Sequence, residues 1–180
     1  FLNVHTVVPA HIGKASHLMA REDWDGAIRI ALAGLEVADR TGYVIWGIHR
    51  LLPLLGEAYF QAGRTAEGEE IAQRLRTCGN DLDHDLARAW GTAGEAIVAW
   101  HRGDSAKAAR LLPPAAELLE RIPMVYDAAR LRRQLAGRLW EIGDGEGARR
   151  ELRRVQTVFE SLGASRELRK ALIQMEEVGG

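Results

Sequence analysis

Cysteine is almost missing from this chain of 180 residues, since Cys78 stands alone. That excludes an intramolecular disulfide and any metal site built on several thiolates. A lone thiol fits a reducing compartment, so a cytoplasmic location is the expectation. Long apolar runs are also missing. The longest uncharged stretch, Phe1 to Gly13, is too short to span a bilayer, is broken by Pro9 and has no basic leader before it. No membrane partner is expected. Nor is there an excess of one charge: 24 Lys or Arg face 25 Asp or Glu, so no general field draws in nucleic acid, and none is expected as a partner. Residues 121 to 170 are locally basic, with Arg149, Arg150, Arg153 and Arg154 close together, but Glu146, Glu151 and Glu160 interrupt them as on a solvated helix face.

Nucleotide-binding signatures are absent as well. No Walker A sequence and no Gly-x-Gly-x-x-Gly occurs, and no local motif pairs a nucleophile with a base. The chain is therefore expected not to be an enzyme and to need no cofactor. "GDGEG" (143 to 147) lacks the twelve-residue calcium pattern and reads as a turn. "DLDHD" (81 to 85) offers Asp81, Asp83, His84 and Asp85 as metal ligands, yet clustered acids at a helix start are explained by capping and the helix dipole. His5, His11 and His17, six apart, share no helix face, and His49 and His101 have no acid or nucleophile set beside them by sequence.

What the chain does have is repetition. Gly63 in "YFQAGRTAEGEEIA", Gly103 in "AWHRGDSAKAARLL" and Gly143 in "LWEIGDGEGARREL" lie 40 residues apart, and "LMAREDWDGAIRIA" fits with Glu22 in the glycine position, 41 residues before Gly63. Each copy reads as helix, tight turn, helix. Apolar residues recur at helical spacing on both sides, as in Leu51, Leu54, Leu55 and Ala58, then Ile71, Ala72 and Leu75. Glycine ends the first helix, and Asp104, Asp144 or Thr65 supplies an oxygen for the next. Ala27, Gly68, Ala108 and Ala148, five positions after each turn, let the paired helices approach.

The pattern predicts helix pairs at 8–21/24–40, 43–62/65–78, 82–102/105–121 and 124–142/145–162, then a helix near 165–177. Connectors are expected at "RTGY" (40 to 43), "CGNDLD" (78 to 83) and "RIPM" (121 to 124). "YVIWGI" (43 to 48) would pass for a strand in isolation, but it opens a repeated helix. Pro53 should kink its helix or lie near its first turn, and Pro113 with Pro114 should interrupt theirs. A chain that starts with Phe is expected to be part of a longer protein, with residues 1–180 forming one repeat domain.

Leu55-Gly56-Glu57-Ala58-Tyr59, followed by Gly63, Gly68, Ala72 and Leu75, resembles the tetratricopeptide repeat (TPR), whose second helix carries small residues after such a turn. In the other copies Ala15, Ala96 and Ala136 replace the glycine and Leu18, Ala99 and Leu139 the tyrosine. The resemblance implies an all-α fold, a right-handed superhelix of about four TPR-like helix-turn-helix repeats plus a C-terminal helix. The long period, and Phe159, Leu162, Gly163 and Ala164 after the last repeat, are similar to the C-terminal repeat regions of MalT-like and LuxR-type ATP-dependent bacterial regulators. In those proteins the nucleotide-binding and output domains lie outside the repeats.

Three residues before each turn stand Met19, Phe60, Trp100 and Trp140. With aromatics at only 6% of the chain, a recurring large apolar position is informative. The TPR resemblance places it on the concave side, where Arg50, Glu57, Trp90, Ile97, Arg130 and Arg133 would join it. Aromatic residues with arginine are the types that dominate binding hot spots. The alternative is that longer helices turn the stripe into the core; Trp24 and Trp46, at helix starts, read as packing residues. The expected function is a non-catalytic protein-protein interaction scaffold, the regulatory segment of a bacterial signalling or transcriptional regulator. Its partner would be a protein or peptide segment, another domain of the same polypeptide, or a second copy. The competing reading is a sensor whose aromatic pocket holds a small effector and controls an attached ATPase or DNA-binding domain.

Overall fold

The computed structural model describes residues 4–43, 45 and 47–179. Its described residues form nine α-helices: α1 (Val4–Ala20), α2 (Trp24–Arg40), α3 (Leu52–Gln61), α4 (Thr65–Asp81), α5 (Asp85–His101), α6 (Ser105–Arg121), α7 (Val125–Glu141), α8 (Gly145–Ser161) and α9 (Ser165–Gly179). A π-helical turn, Gly47–Leu51, leads directly into α3. No strand occurs among the described residues, so the fold is an all-α helical repeat.

One local device generates it. A residue with positive φ ends helix after helix: Glu22 (62°), Gly42 (71°), Gly63 (73°), Asp83 (49°), Gly103 (83°), Gly143 (88°) and Gly163 (64°), with Pro123 (26°) at the equivalent place. The next residue sends its N–H back to the helix just finished, as Arg64 does to the Tyr59 carbonyl (2.9 Å) and Asp104 to that of Ala99 (2.9 Å). Its own carbonyl accepts the first bond of the following helix, from Gly68 N–H (3.1 Å) and Ala108 N–H (3.1 Å) respectively. This is the Schellman ending joined without a spacer to an N-cap. Turns between the sequence copies have the same form as turns within them. The unit is therefore a helix of 17 residues plus three, and the 40-residue copy is two such units.

One interval, Gly42 to Gly63, is 21 residues rather than 20. The π-helical turn lies inside it. A π-bulge is how an α-helix takes up one extra residue, so the insertion is absorbed without shifting the next turn. Pro53 follows as one of the first residues of α3, where a missing N–H costs little. Of "YVIWGI", Ile45 is helical and Gly47 and Ile48 belong to the π-turn, whereas Val44 and Trp46 lie outside the described residues.

Three expectations need correction. Pro113 and Pro114 do not interrupt α6, which is continuous from Ser105 to Arg121. The carbonyls of Ala109 and Arg110 lose their usual donors, but burial of Leu112, Ala115, Ala116 and Leu119 holds the helix together across the pair. "CGNDLD" is not a loop up to Asp83, because α4 runs to Asp81 with Gly79 inside it. Thr65 does not cap α4; Arg64 holds that position with no side-chain bond to the backbone and instead reaches Glu67 at 2.7 Å. Asp23, Asp104 and Asp144 do cap, accepting from Gly26, Lys107 and Gly147 at 2.9, 2.8 and 2.8 Å.

The chain divides into two compact units, one ending at Gly94 and the next beginning at Glu95. In the first, Leu35, Leu51, Leu52, Leu55 and Tyr59 form the core with alanines of α2 and α3. Here α4 and α5 approach through glycine. A Cβ on Gly91 would lie 2.9 Å from the Arg76 nitrogen, and one on Gly79 2.8 Å from that of Arg88. In the second unit Leu152, Val155 and Phe159 of α8 pack with Ala129 and Ala136 of α7 and with Ala171 and Val178 of α9.

Helix propensity alone makes Gly91→Ala stabilising by about 1 kcal/mol. The Arg76 backbone reverses that sign, and denaturant melts should show a loss of about 1–3 kcal/mol. Glu22→Gly should act oppositely, since relieving a left-handed non-glycine residue raises stability by about 1 kcal/mol and the melting temperature by roughly 2–4 °C.

Candidate functional site

The stripe of large residues splits between interior and surface, for a reason visible in the sequence. Phe60 is 7% exposed, and its ring fills the space above Gly68, where a Cβ would come within 2.5 Å of it. The equivalent residues of the next copies are Ala108 and Ala148, both buried. Their methyl groups occupy the slot that Phe60 uses. Trp100 and Trp140 are instead 39% and 45% exposed. Met19, opposite Ala27, is half-buried.

In the second unit Trp100 on α5 is covered on one face by Arg138 of α7, whose guanidinium carbon lies 3.9 Å from the ring centroid. The His101 ring sits 4.7 Å away. Burial beneath the indole weakens the guanidinium's hold on its proton, and Glu141 at 3.1 Å opposes that. The result is a desolvated cation stacked on tryptophan, an arrangement stronger than its solvated equivalent. Two residues on, the Trp140 ring leans over the first turn of α8, 3.2 Å from where a Gly145 Cβ would be. Arg138 was not among the residues singled out from the sequence. Its signal was a departure from the repeat, because the same position in earlier copies holds Ala58 and Val98, both buried.

The remaining sequence candidates have diverse surroundings. Arg130 lies 6.0 Å from the centroid of the exposed Tyr126 ring, and Ile97 is half-buried. Arg133 is engaged in holding α9: its Nε is 3.4 Å from Glu167 and its carbonyl accepts from Gln174 at 3.4 Å. In the first unit Arg50 is exposed on the π-turn and Glu57 half-buried. Trp90 is half-buried against the core, and its Nε1–H has no hydrogen-bond acceptor among the described residues. In the second unit Trp100 stacks on Arg138, and Trp140, exposed at the equivalent position of the next copy, lies over the first turn of α8.

Two polar clusters explain residues considered for chemistry. Arg88 donates to the carbonyl of Gly79 (3.0 Å), to Asp83 (2.9 Å) and to Asp85. Ala87 N–H donates to His84 Nδ1 at 3.4 Å. "DLDHD" therefore ties off α4 and caps α5, and no cluster of three metal-ligating side chains occurs among the described residues. His84 Nε2 lies 3.0 Å from His49 Nε2, within hydrogen-bonding distance. Burial first, then the His84 and Arg50 charges, pushes the His49 pKa down.

The second cluster takes up part of the basic stretch. Buried Arg132 donates two bonds to Glu120 (2.6 and 3.1 Å) and one to Glu151 (3.3 Å), and Arg154 adds two more to Glu120 (3.0 and 3.1 Å). The Arg132 hydrogen bond holds the Glu120 carboxyl below its usual range despite partial burial. For Glu167 burial works upward, but the Lys170 hydrogen bond and the Arg133 charge outweigh it and lower the pKa. Open hollows of about 520 Å³ beside Glu70, Arg74 and Cys78 and about 500 Å³ beside Glu117 and Arg121 have the form of surface depressions.

No protein-family model matches the chain, and no curated protein does. Among solved structures it is similar to BtubC (BKLC) from P. vanneervenii, with a TM-score of 0.63 at 11% identity, covering 99% of this chain and 84% of that one. A weaker likeness, TM-score 0.47 at 16% identity over 96% of this chain and 91% of that one, is to the MamA protein. The fold is that of a TPR-like helical repeat.

Acid should weaken the molecule in two stages. His49 titrates lower folded than unfolded, so its contribution is present above about pH 6.5 and declines below it. Glu120 and Glu167 are likewise lowered, so theirs holds above about pH 4.3 and is lost as pH falls through their folded values. Urea midpoints measured against pH should show both steps; His49→Gln should flatten the upper and Glu120→Gln part of the lower.

Proposed function

We propose that this chain is a non-catalytic protein-protein interaction scaffold that binds an extended polypeptide segment over Trp100, Arg138 and Trp140. The observation that carries this reading is the pair of tryptophans left outward at equivalent positions of consecutive copies, one of them backed by a half-buried arginine. Large, rigid indoles give much contact area at small entropic cost, and a guanidinium already stacked and paired is held in place before a partner arrives. The helical-repeat fold suits such a role, since each repeat adds surface for a long partner.

The natural setting for the scaffold is the regulatory segment of a multidomain bacterial signalling or transcriptional regulator, as the resemblance of the repeats to MalT-like and LuxR-type proteins suggests. Residues 1–180 would then act as one interaction region within a longer cytoplasmic polypeptide. The competing reading is the effector sensor, which needs an enclosed cavity at the aromatic residues; the hollows beside α4 and α6 are open.

The test is selection of peptides from a displayed random library on the intact chain, followed by affinity measurement for a selected peptide. Trp100→Ala and Trp140→Ala should each weaken binding by more than tenfold while moving the melting temperature by only a few degrees. Unchanged affinity with a large drop in stability would assign both indoles to packing and overturn the proposal.

A further inference from the structure

The first unit contains one meeting of side chains that helix packing does not explain. His49 stands in the π-helical turn, Gly47–Leu51, where the chain takes up its extra residue. His84 stands in the corner between α4 and α5, directly after the left-handed Asp83. The two imidazoles meet with their Nε2 atoms 3.0 Å apart, their ring centroids 4.9 Å apart and their planes inclined at 64°. Both places are fixed by the fold. The His84 N–H donates to the Gly79 carbonyl at 2.9 Å and its own carbonyl accepts from the Arg88 N–H at 3.1 Å, while buried Ile48 and Leu51 hold the π-turn on the core. π-Bulges recur at functional sites, and this one carries a side chain able to bind.

Both rings are half-buried, and the acids flanking His84, Asp83 and Asp85, accept from Arg88. Burial, the His84 charge and neighbouring Arg50 lower the His49 pKa, so its ring is neutral at pH 7 and has a lone pair to give. Two neutral rings facing each other can share one proton and make one hydrogen bond. A metal ion uses a lone pair from each. Zinc–nitrogen bonds of about 2.0–2.1 Å place two coordinating nitrogens about 2.9 Å apart at a right angle and about 3.3 Å apart at the tetrahedral angle. The observed 3.0 Å lies between these limits, so an ion enters without moving either backbone. Coordination through Nε2 leaves the proton of His84 on Nδ1, and the 3.4 Å bond from the Ala87 N–H, already long, is given up.

We propose that His49 and His84 form a binding site for one divalent transition-metal ion of the zinc–copper class, held through the two Nε2 atoms with water completing its coordination. Imidazole nitrogen suits these ions, whereas magnesium and calcium take oxygen. Arg50 opposes the charge of the ion, and Asp83 and Asp85 on either side of His84 offset it. Two side-chain ligands, against the three or four of dedicated zinc sites, make the binding weak and reversible. The ion clamps the π-turn that opens α3 to the corner that opens α5, so its binding free energy adds to the stability of the first unit. The proposal is independent of the tryptophans and of any peptide partner.

Thermal melts of the full chain, stripped with a chelator and then titrated with Zn²⁺, test this. Zn²⁺ should raise Tm saturably, by roughly 3–6 °C at about tenfold its Kd. Cu²⁺ should act at lower concentration and Mg²⁺ should have no effect. His49→Gln and His84→Gln should each weaken Zn²⁺ binding at least tenfold, with circular dichroism confirming that the helices persist, whereas His101→Gln and Cys78→Ser should leave it intact. In the Cys78→Ser background the electron paramagnetic resonance spectrum of bound Cu²⁺ should show coupling to two imidazole nitrogens, a readout independent of stability. Absence of a Zn²⁺-dependent shift overturns the proposal. So does a shift that survives either histidine substitution, which would be adventitious binding elsewhere on the chain, or a Cu²⁺ spectrum without coupling to two nitrogens.

Discussion

The rest of the structure depends on how one helix stops. A single residue of positive φ closes each of α1 to α8, and the residue after it both returns an N–H to the finished helix and opens the next. No spare residue exists in which the direction of the chain could drift. Helices α1, α2 and α4 to α8, each of 17 residues, follow from turns of equal form, and the fold extends by adding the same step. Where the chain does carry one residue too many, the error is confined to a π-turn ahead of Pro53 rather than passed on to the next corner.

That regularity makes small differences between equivalent positions consequential. Glycine or alanine five residues after the turn is a difference of one methyl group, yet it determines whether a large side chain three residues before the turn lies inside or out. Gly68 admits the Phe60 ring; Ala108 and Ala148 do not admit Trp100 or Trp140. The slimmer Met19, opposite Ala27, is half-buried, between these two outcomes. The same constraint operates between α4 and α5, where Gly79 and Gly91 let backbone meet backbone.

This also explains what could be read from the sequence. The period of 40, the four large residues before the turns and the small residues after them were legible because each recurs at a fixed distance from a glycine. The half-period was less so. At Asp83 and Pro123 the left-handed place is held by residues that do not announce it, so the connectors between copies passed for ordinary loops. Pro113 and Pro114 misled because a local rule was applied where tertiary burial decides. For the site, the stripe could be located but not divided into buried and exposed members, since that division depends on how closely two helices approach.

The arginines carry the most instructive departures. Copies earlier in the chain place Leu52 and Ala58 where α7 has Arg132 and Arg138, so both are cations at positions the fold otherwise keeps apolar or small. Neither is left alone. Arg132 is met by Glu120 and Glu151, and Arg138 by Trp100 and Glu141. A buried charge of this kind adds little stability compared with the leucine or alanine it replaces. It does add definition, because a guanidinium bonded in fixed directions restricts the helices around it to one arrangement. In Arg132 that definition is spent internally, linking α6, α7 and α8. Arg138 differs: it is half-buried, its ion pair is with Glu141 of the same helix, and what it meets on another helix is the Trp100 ring on which its guanidinium is stacked.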